Sequence, residues 1–273
     1  MVTASIVIYK TDKEELKNIL DRLEFSRIEH IYIVDNSPTN ELYGLVSCYN
    51  KVNYFFGQGN IGYGAAHNIA IKRAIEEDAE YHIVLNSDID LKSEIIDKIK
   101  VYMDANPLIG LIMPKILSPD GGVQYLCKLL PTPLDLILRR FFPTRIFFNR
   151  TWKFEMRDSG YENIMEVPFL SGCFMFLRME TLKKVGGFDD NFFMYCEDLD
   201  LCRRIGMAGF KTMYYPEVEI VHIHKKESYK NAMMLKTHIK SAILYFNKWG
   251  WLFDIYRRQV NQKIRKQYYS ANK

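Results

Sequence analysis

Cysteine is scarce in this sequence, and long apolar runs are absent. The five cysteines among 273 residues are odd in number and never spaced as Cys-x-x-Cys, which excludes a disulfide framework and a zinc site built from thiolates. No stretch approaches the roughly 18 consecutive apolar residues that a membrane-spanning helix needs. Residues 1–10 also lack the basic, then apolar, then small-residue pattern of a signal peptide. We therefore expect a cytosolic chain without a spanning segment.

A net charge of +4 conceals a strong asymmetry along the chain. Residues 225–273 contain 12 Lys or Arg and two acids, a net charge of +10. Residues 1–224 contain 25 Lys or Arg and 31 acids, a net charge of −6. The 48% of hydrophobic residues suffices for the core of one large domain or two small ones. The basic tail indicates an anionic partner, either nucleic acid or a membrane surface.

Short apolar strands alternate with helical segments in the first half of the chain. The predicted strands are residues 4–9, 30–34, 52–56 and 81–85. This alternation predicts an α/β fold with crossover connections and a mostly parallel central sheet flanked by helices. Ligands of such sheets bind beyond the carboxyl ends of the strands, where Asp35, the glycine-rich turn 57–64 and Asp88 fall. That turn lacks the Gly-Lys-Ser/Thr of a P-loop, which excludes a P-loop kinase.

The second half is less regular. Residues 129–165 mix proline, aromatic residues and arginine without a period, and we interpret them as a variable insertion. A buried strand is predicted from Val167, then a turn at residues 186–189 into the segment 195–200, a helix to about Ala208, and a strand ending near His222. We expect one catalytic domain over residues 1–228 and a helical appendage over residues 229–273.

Two sets of polar residues could bind a divalent cation. Asp88 and Asp90 follow a strand, and their carboxylate oxygens suit a cation that also binds substrate phosphates, although acids there are also common turn formers. His222 and His224 are separated by one residue, so that both side chains would lie on one face of a strand. A histidine on a strand is more often structural, but two acids and an imidazole suit Mg²⁺ or Mn²⁺.

A pair of acids at the start of the predicted second-half helix could hold a general base. Glu197 and Asp198 could place one carboxylate in a cleft, or they could simply complement the dipole of the helix. The pair alone does not decide between these alternatives.

Taken in order, the motifs of the chain resemble the family-2 inverting glycosyltransferases of GT-A fold, and most closely the bacterial rhamnosyltransferase-like branch. The resemblance covers residues 1–228. It rests on Ser5-Ile6-Val7-Ile8-Tyr9, Val34-Asp35-Asn36-Ser37, Asn60-Ile61-Gly62-Tyr63-Gly64 with Asn68, Leu85-Asn86-Ser87-Asp88-Ile89, Ser171-Gly172-Cys173, Gly186-Gly187-Phe188-Asp189, Glu197-Asp198-Leu199-Asp200 and Val221-His222.

The resemblance assigns a role to each of these segments. The residues expected to bind the donor are Ile8, Tyr9, Asp35, Asn60, Gly62, Asn68, Asn86, Ser87 and Asp88. The metal-binding Asp-x-Asp of the family aligns with Asn86-Ser87-Asp88, so Asp88 should hold Mg²⁺ or Mn²⁺ with His222, and Asn86 can add a carbonyl oxygen. Asp90 and His224 are reserve ligands.

The family also implies an inverting transfer with a general base. Asp198 is the expected base, Glu197 is the next candidate, and Ser171, Gly172 and Tyr195 should line the sugar and acceptor pocket. The implied partners are a nucleotide-sugar donor and a saccharide or lipid-linked acceptor of cell-surface polysaccharide synthesis. The first donor candidate is dTDP-L-rhamnose, followed by UDP-hexoses. A binding protein without turnover is the alternative, whereas a sugar-nucleotide pyrophosphorylase would need a Gly-rich basic loop that residues 9–12 do not offer.

The basic tail contains an amphipathic pattern. Residues at helical spacing are Leu235, Ile239, Ala242, Ile243, Phe246, Gly250 and Phe253. Trp249, Trp251, Tyr256 and the basic run 257–266 predict an interfacial helix on anionic headgroups, and the alternative is a helix packed on the domain. With the glycosyltransferase resemblance, we expect a peripheral protein at the cytoplasmic face of the membrane and no nucleic acid. The sequence does not predict the oligomeric state.

Overall fold

A computed structural model describes residues 1–136, 144–223 and 232–269. The strands are Val2–Ile8 (β1), His30–Asp35 (β2), Val52–Phe56 (β3), Tyr81–Leu85 (β4), Ile89–Asp90 (β5), Ile109–Leu117 (β6), Cys127–Lys128 (β7), Met165–Glu166 (β8), Phe169–Leu170 (β9), Phe174–Arg178 (β10) and Lys211–His222 (β11). The helices are Lys13–Glu24 (α1), Tyr43–Val46 (α2), Tyr63–Glu76 (α3), Glu94–Ala105 (α4), Pro133–Leu136 (α5), Thr144–Phe154 (α6), Met179–Val185 (α7), Glu197–Met207 (α8), Ala232–Trp249 (α9) and Ile255–Tyr269 (α10).

The central sheet has the strand order β3-β2-β1-β4-β10-β6-β11-β5, with β8 paired to β11. Strands β1 to β4 pair in parallel, as do β6 and β11, whereas β10 runs antiparallel between β4 and β6. The predicted mixed α/β fold with a mostly parallel sheet is confirmed. Because the first residue of β10 pairs with Leu85, the last of β4, the segment that precedes β10 lies beside the carboxyl end of β4.

Helices cover the sheet through apolar stripes. Helix α1 begins after Asp12, whose carboxylate accepts hydrogen bonds from the amides of Glu14 and Glu15. Its stripe of Leu16, Ile19, Leu20 and Leu23 is fully buried. This packing fixes the loop between β1 and α1 at the edge of the sheet where the strands β1, β2 and β4 end.

A polar chain is buried within this core. His82 hydrogen-bonds through Nδ1 with the Thr3 hydroxyl (2.8 Å) and through Nε2 with the Ser5 hydroxyl (2.8 Å), and Ser5 also contacts Nδ1 of His67 (2.7 Å). All four residues are inaccessible to solvent. Burial lowers the pKa of His82 to about 3 and that of His67 well below its usual value, so both imidazoles are neutral.

The two C-terminal helices pack on the rest of the domain. Helix α9 buries Ala242, Tyr245 and Phe246. Arg203 of α8 donates two hydrogen bonds, of 2.6 and 2.8 Å, to the carboxylate of Asp254, and both side chains are almost fully buried. These contacts anchor the connection between α9 and α10.

Three residues of the predicted interfacial helix make contacts within the protein, as the alternative of a packed helix requires. The Trp249 indole N–H donates to the buried Asp200 (2.7 Å), Tyr256 lies against the Arg203 guanidinium, and Arg257 is buried. Each of these groups is engaged by a contact within the protein, and the membrane contact of the tail stays a prediction. The predicted stripe holds at Ala242 and Phe246, which are buried, but its extension is wrong, since α9 ends at Trp249 and Phe253 is 95% exposed.

In the three described ranges, we find no helix with both the length and the apolar character needed to cross a bilayer.

Candidate active site

A cleft of about 530 Å³ opens where β1, β4 and β11 end and α8 begins. Ten residues predicted from the sequence line it: Tyr9, Asn86, Ser87, Asp88, Ser171, Gly172, Tyr195, Glu197, Asp198 and His222. They come from five separate stretches of the chain. The sheet brings them together because its parallel strands end at one edge and the reversed strand β10 begins there.

The centre of the cleft holds a carboxylate and an imidazole in contact. Oδ1 of Asp88 lies 3.2 Å from Nε2 of His222, and both side chains are largely buried. Nδ1 of His222 hydrogen-bonds with the Gln124 side-chain carbonyl (3.0 Å), whose amide group donates to the His222 carbonyl oxygen (2.8 Å). Because an amide oxygen can only accept, the proton of a neutral His222 is held on Nδ1 and the lone pair of Nε2 is directed at Asp88.

This pair fits a divalent cation. Two neighbouring ligands of an octahedral ion with bonds of about 2.1 Å lie roughly 3 Å apart, close to the observed separation. Among the described residues, no group of three or more His, Cys, Asp and Glu is arranged to hold a metal. The chain would thus supply Asp88 and His222, with the Asn86 amide nearby, and leave several positions for phosphate oxygens and water.

The carboxylate of Asp198 is held by the backbone on the other side of the cleft. Its Oδ2 accepts a hydrogen bond from the Gly172 amide (2.9 Å), and its Oδ1 accepts one from the Leu199 amide (2.8 Å). An added Cβ at Gly172 would lie 3.2 Å from Cβ of Asp198, so a side chain there would crowd the carboxylate. Gly172 therefore positions Asp198 as well as lining the cleft.

Burial raises the pKa of Asp198, while the Gly172 amide and the positive charge of Lys128 oppose this shift. Burial and the neighbouring charge of Asp198 raise the pKa of Glu197 well above its usual value. Oε2 of Glu197 has no hydrogen-bond partner within the described part of the chain. A neutral Glu197 beside an ionised Asp198 is the arrangement that this site favours.

The backbone that leads into this acidic pair is strained. Tyr195 and Cys196 both have left-handed conformations, with φ of 69° and 66°. Residues other than glycine rarely adopt this conformation, and strain of this kind is concentrated at functional sites. The two residues turn the chain so that α8 begins with Glu197 and Asp198 inside the cleft.

The predicted turn around Gly62 clamps the segment before the acidic pair. The amide of Tyr63 donates to the Phe193 carbonyl oxygen (2.8 Å), and a Cβ at Gly62 would overlap with that oxygen. Gly62 also has φ of 94°, a conformation that only glycine adopts readily. The Tyr63 hydroxyl reaches into the cleft and contacts the Asn86 side-chain oxygen (3.0 Å) and the Gly172 carbonyl (2.8 Å).

We expect Gly62→Ala to lower the free energy of unfolding by roughly 2–4 kcal/mol, because strain and overlap with Phe193 add. Gly59→Ala is the matched control, since Gly59 also has a positive φ of 69° but open space around its Cβ position. That variant should lose only about 1 kcal/mol. Urea unfolding of the two variants measures the difference, and equal losses would exclude the clamp.

Six predicted residues do not line the cleft. They are Ile8, Asp35, Asn60, Gly62, Asn68 and Asp90. Asp35 is buried beside it, where its carboxylate accepts hydrogen bonds from the Tyr54 hydroxyl (2.6 Å) and the Ser37 amide (2.8 Å). The donor-binding role of Asp35 stays a prediction.

Asn68 and Asp90 are used elsewhere. The Asn68 amide is bonded to the backbone of Phe188 and to Asp190, which ties α3 to the loop before α8. Asp90 is half exposed and paired with Arg22 at 3.2 Å, and it does not line the cleft. The prediction of Asp90 as a reserve metal ligand is therefore wrong in this structure, and His224 lies outside the described residues.

Comparisons with known proteins identify the family. The family model described as Glycosyltransferase like family 2 matches residues 145–240. The chain is 30% identical to the N-acetylglucosaminyl-diphospho-decaprenol L-rhamnosyltransferase of Mycobacterium tuberculosis over 231 residues, which cover 79% of this chain and 73% of that protein. The chain belongs to glycosyltransferase family 2. It is also 27% identical to the rhamnosyltransferase WbbL of Escherichia coli K12, over 88% of this chain and 90% of WbbL.

The fold of this family-2 glycosyltransferase is found in solved structures as well. The crystal structure of GalNAc-T7 with UDP, GalNAc and Mn²⁺ superposes with a TM-score of 0.66 at 13% identity, over 98% of this chain. The chain spans only 55% of the length of that structure. The likeness establishes the GT-A fold that the motifs predicted.

Two residues that contact predicted residues of the glycosyltransferase cleft were missed in the sequence. Gln124 lies 98 positions before His222, and no motif connects them. Tyr63 was within a predicted segment, but nothing in its spacing showed that its hydroxyl would reach Asn86 and Gly172. Both residues hold predicted residues in position through hydrogen bonds, and neither replaces a predicted residue in its role.

Proposed function

We propose that this glycosyltransferase moves a sugar from a nucleotide-sugar donor to a saccharide or lipid-linked acceptor in polysaccharide synthesis, with inversion at the anomeric carbon. The observation that carries the proposal is the Asp88–His222 pair facing, within one cleft, the acidic pair Glu197–Asp198. The first candidate for the donor is dTDP-L-rhamnose, because the relatives named above are rhamnosyltransferases. UDP-hexoses are the second candidate.

In the proposed reaction, Asp198 accepts the proton of the acceptor hydroxyl as that oxygen attacks the anomeric carbon of the donor. The new C–O bond forms on the face opposite the bond to the diphosphate, which breaks and releases the nucleoside diphosphate with both electrons. The two backbone amides orient the Asp198 carboxylate, and its raised pKa makes it a stronger base than an exposed aspartate.

We propose that Asp88 and His222 hold Mg²⁺ or Mn²⁺. The bound ion would supply charge neutralisation to the leaving diphosphate. Support comes from the spacing of the two ligand atoms and from the Mn²⁺ present in the GalNAc-T7 structure. Gln124 fixes the imidazole for this role.

Replacing the residue behind the imidazole should weaken cation binding. We expect Gln124→Leu to lower the affinity for Mn²⁺ in the presence of a nucleoside diphosphate by about 10- to 100-fold, because the Nδ1 proton of His222 loses its acceptor. Gln124→Glu keeps an acceptor and should remain closer to wild type. Electron paramagnetic resonance of free Mn²⁺ measures both, and an unchanged affinity in Gln124→Leu would argue against His222 as a ligand.

The acceptor is proposed from the relatives. The name of the Mycobacterium tuberculosis protein states a lipid diphosphate-linked sugar, N-acetylglucosaminyl-diphospho-decaprenol, as the molecule that it modifies. A similar acceptor would bring this chain to the cytoplasmic face of a membrane, and the basic tail is suited to an anionic membrane surface.

The test is a screen of nucleotide sugars with Mg²⁺ or Mn²⁺, with thermal stabilisation and donor hydrolysis as readouts. Transfer to a short-chain lipid diphosphate sugar is then followed by mass spectrometry, and the anomeric configuration of the product by NMR. We expect dTDP-L-rhamnose to be used and the configuration to invert. Stabilisation by a donor without hydrolysis or transfer would instead favour the binding protein, and retention would exclude the single displacement.

A further inference from the structure

The turn between α9 and α10 exposes an unusual set of apolar side chains. Leu252 is 76% exposed, Phe253 is 95% exposed and Ile255 is 73% exposed, and the neighbouring Trp251 is 39% exposed. We call these four residues the apolar tip. Single exposed apolar residues are common on protein surfaces, but large ones side by side mark a surface that another molecule covers.

The backbone of the apolar tip is firmly held. Asp254, at its centre, is buried, accepts two hydrogen bonds from Arg203 and caps α10 through the Arg257 amide (2.9 Å). The Arg257 guanidinium donates to the carbonyl oxygens of Trp251 (3.2 Å) and Leu252 (3.3 Å). The buried charges of Arg203, Asp254 and Arg257 thus hold the backbone of the turn against the domain, and the apolar side chains point to solvent.

The charges around the apolar tip indicate its partner. Within residues 232–269 the single acid is Asp254, which is buried between arginines. The exposed surfaces of α9 and α10 carry cations that include Lys236, Lys240, Arg258 and Arg265. Exposed cations on both helices attract an anionic layer, and they would repel the same helices of a second copy of the chain.

We infer that the apolar tip inserts into a bilayer that contains anionic phospholipids, with the cations of α9 and α10 on the headgroups. This deepens the proposed function, because it assigns the membrane contact to the turn that links α9 and α10 and not to a face of α10. Leu252 and Phe253 enter the boundary between headgroups and acyl chains, and the rigid anchor at Asp254 sets the orientation of the domain.

The test is flotation of the full chain with vesicles of phosphatidylcholine and 30% phosphatidylglycerol, on the order of the anionic content that polybasic segments respond to. We expect Leu252→Ser with Phe253→Ser to lower the partition coefficient by at least about tenfold. The matched control is Val101→Ser with Leu108→Ser, which removes two residues that are 69% and 60% exposed on another part of the surface. The control should float like wild type. Wild type should float less with vesicles of pure phosphatidylcholine.

Trp251 reports insertion directly. Brominated acyl chains should quench its fluorescence on vesicle binding, and Trp251→Phe should remove most of the quenched signal. Thermal midpoints of both double variants should equal that of wild type, because all four positions are exposed.

Three results would overturn the inference. They are flotation of the tip variant at the wild-type level, vesicle binding without quenching of Trp251, and a dimer in vesicle-free solution that the tip variant abolishes. Transfer to a water-soluble acceptor separates this inference from the proposed function. The tip variant should keep wild-type transfer there, whereas absence of transfer in wild type would remove the proposed function and leave the flotation result standing.

Discussion

Asp198→Asn should lower kcat by about 10²- to 10⁴-fold while the affinity for the donor stays nearly unchanged. The amide oxygen of Asn can still accept one of the two backbone hydrogen bonds that hold this side chain, so the shape of the cleft is retained. What is lost is the site that takes the proton of the acceptor hydroxyl. Steady-state kinetics with saturating acceptor and isothermal titration with donor measure the two quantities.

The neighbouring acid provides a matched control. Burial keeps Glu197 neutral, and a neutral glutamic acid is nearly the same shape as glutamine. Glu197→Gln should therefore change kcat by less than about tenfold. The opposite pattern, a large loss in Glu197→Gln and a small one in Asp198→Asn, would make Glu197 the base.

The pH dependence of the reaction gives a second readout of the same assignment. Because burial raises the pKa of Asp198 above its ordinary value of 3.8, the base is lost to protonation as the pH falls through that raised pKa. The acidic limb of kcat/KM should thus lie above pH 3.8 in wild type. The limb should be absent from the residual activity of Asp198→Asn.

The sequence predicts this site well where a short polar motif follows a buried strand or begins a helix. Asp88, Asp198 and His222 are of that kind. Hydrophobic periodicity shows where each strand or helix ends, and the sheet aligns these ends at one edge, so the three residues lie in one cleft. Gln124 is not of that kind, since its role depends on a contact between residues 98 positions apart. Asp90 shows the other limit: two residues after Asp88, its carboxylate turns to Arg22 instead of the cleft.

The tail shows why periodicity can identify a helix and still assign its faces wrongly. Aromatic residues occur both on the side of α9 that packs and in the turn that follows. Gly250, with φ of 103°, ends the helix, so the pattern cannot be extended to Phe253. The buried pairing of Arg203 with Asp254 then decides which aromatic residues face inward, and it joins residues that are 51 positions apart. No local pattern contains that information.

The buried histidines should make the stability of the protein fall as the solution is acidified. His82 and His67 have ordinary pKa values near 6.5, and burial lowers the pKa of His82 to about 3 and that of His67 well below the ordinary value. The unfolded chain therefore binds two protons below pH 6.5 that the folded chain excludes. The stability from these neutral imidazoles is complete above that pH and is lost as the pH falls from 6.5 toward 3. At pH 5, His82 should cost about 2 kcal/mol, and His67 should add a cost of the same sign.

The carboxyls of the cleft act in the opposite direction, so the measurement has to be a difference between variants. The raised pKa values of Glu197 and Asp198 favour the folded state as the pH falls, and both residues are present in every variant used. We expect the free energy of unfolding of His82→Gln to fall by about 2 kcal/mol less than that of wild type between pH 7.5 and pH 5 in urea unfolding. In the double variant His67→Gln with His82→Gln it should fall by less still. Glutamine cannot titrate in this range.

A variant that breaks the same hydrogen-bond chain without removing a titratable group separates protonation from packing. Thr3→Val removes the hydroxyl that contacts Nδ1 of His82. It should lower the free energy of unfolding by about 1–3 kcal/mol at both pH values, because the lost contact does not depend on the imidazole charge of the unfolded chain. If Thr3→Val flattened the pH dependence as much as His82→Gln does, the effect would belong to loosened packing around the sheet. If the free energy of unfolding falls with pH as steeply in Thr3→Val as in wild type, and less steeply only in His82→Gln, the pH dependence comes from exclusion of the proton from the core.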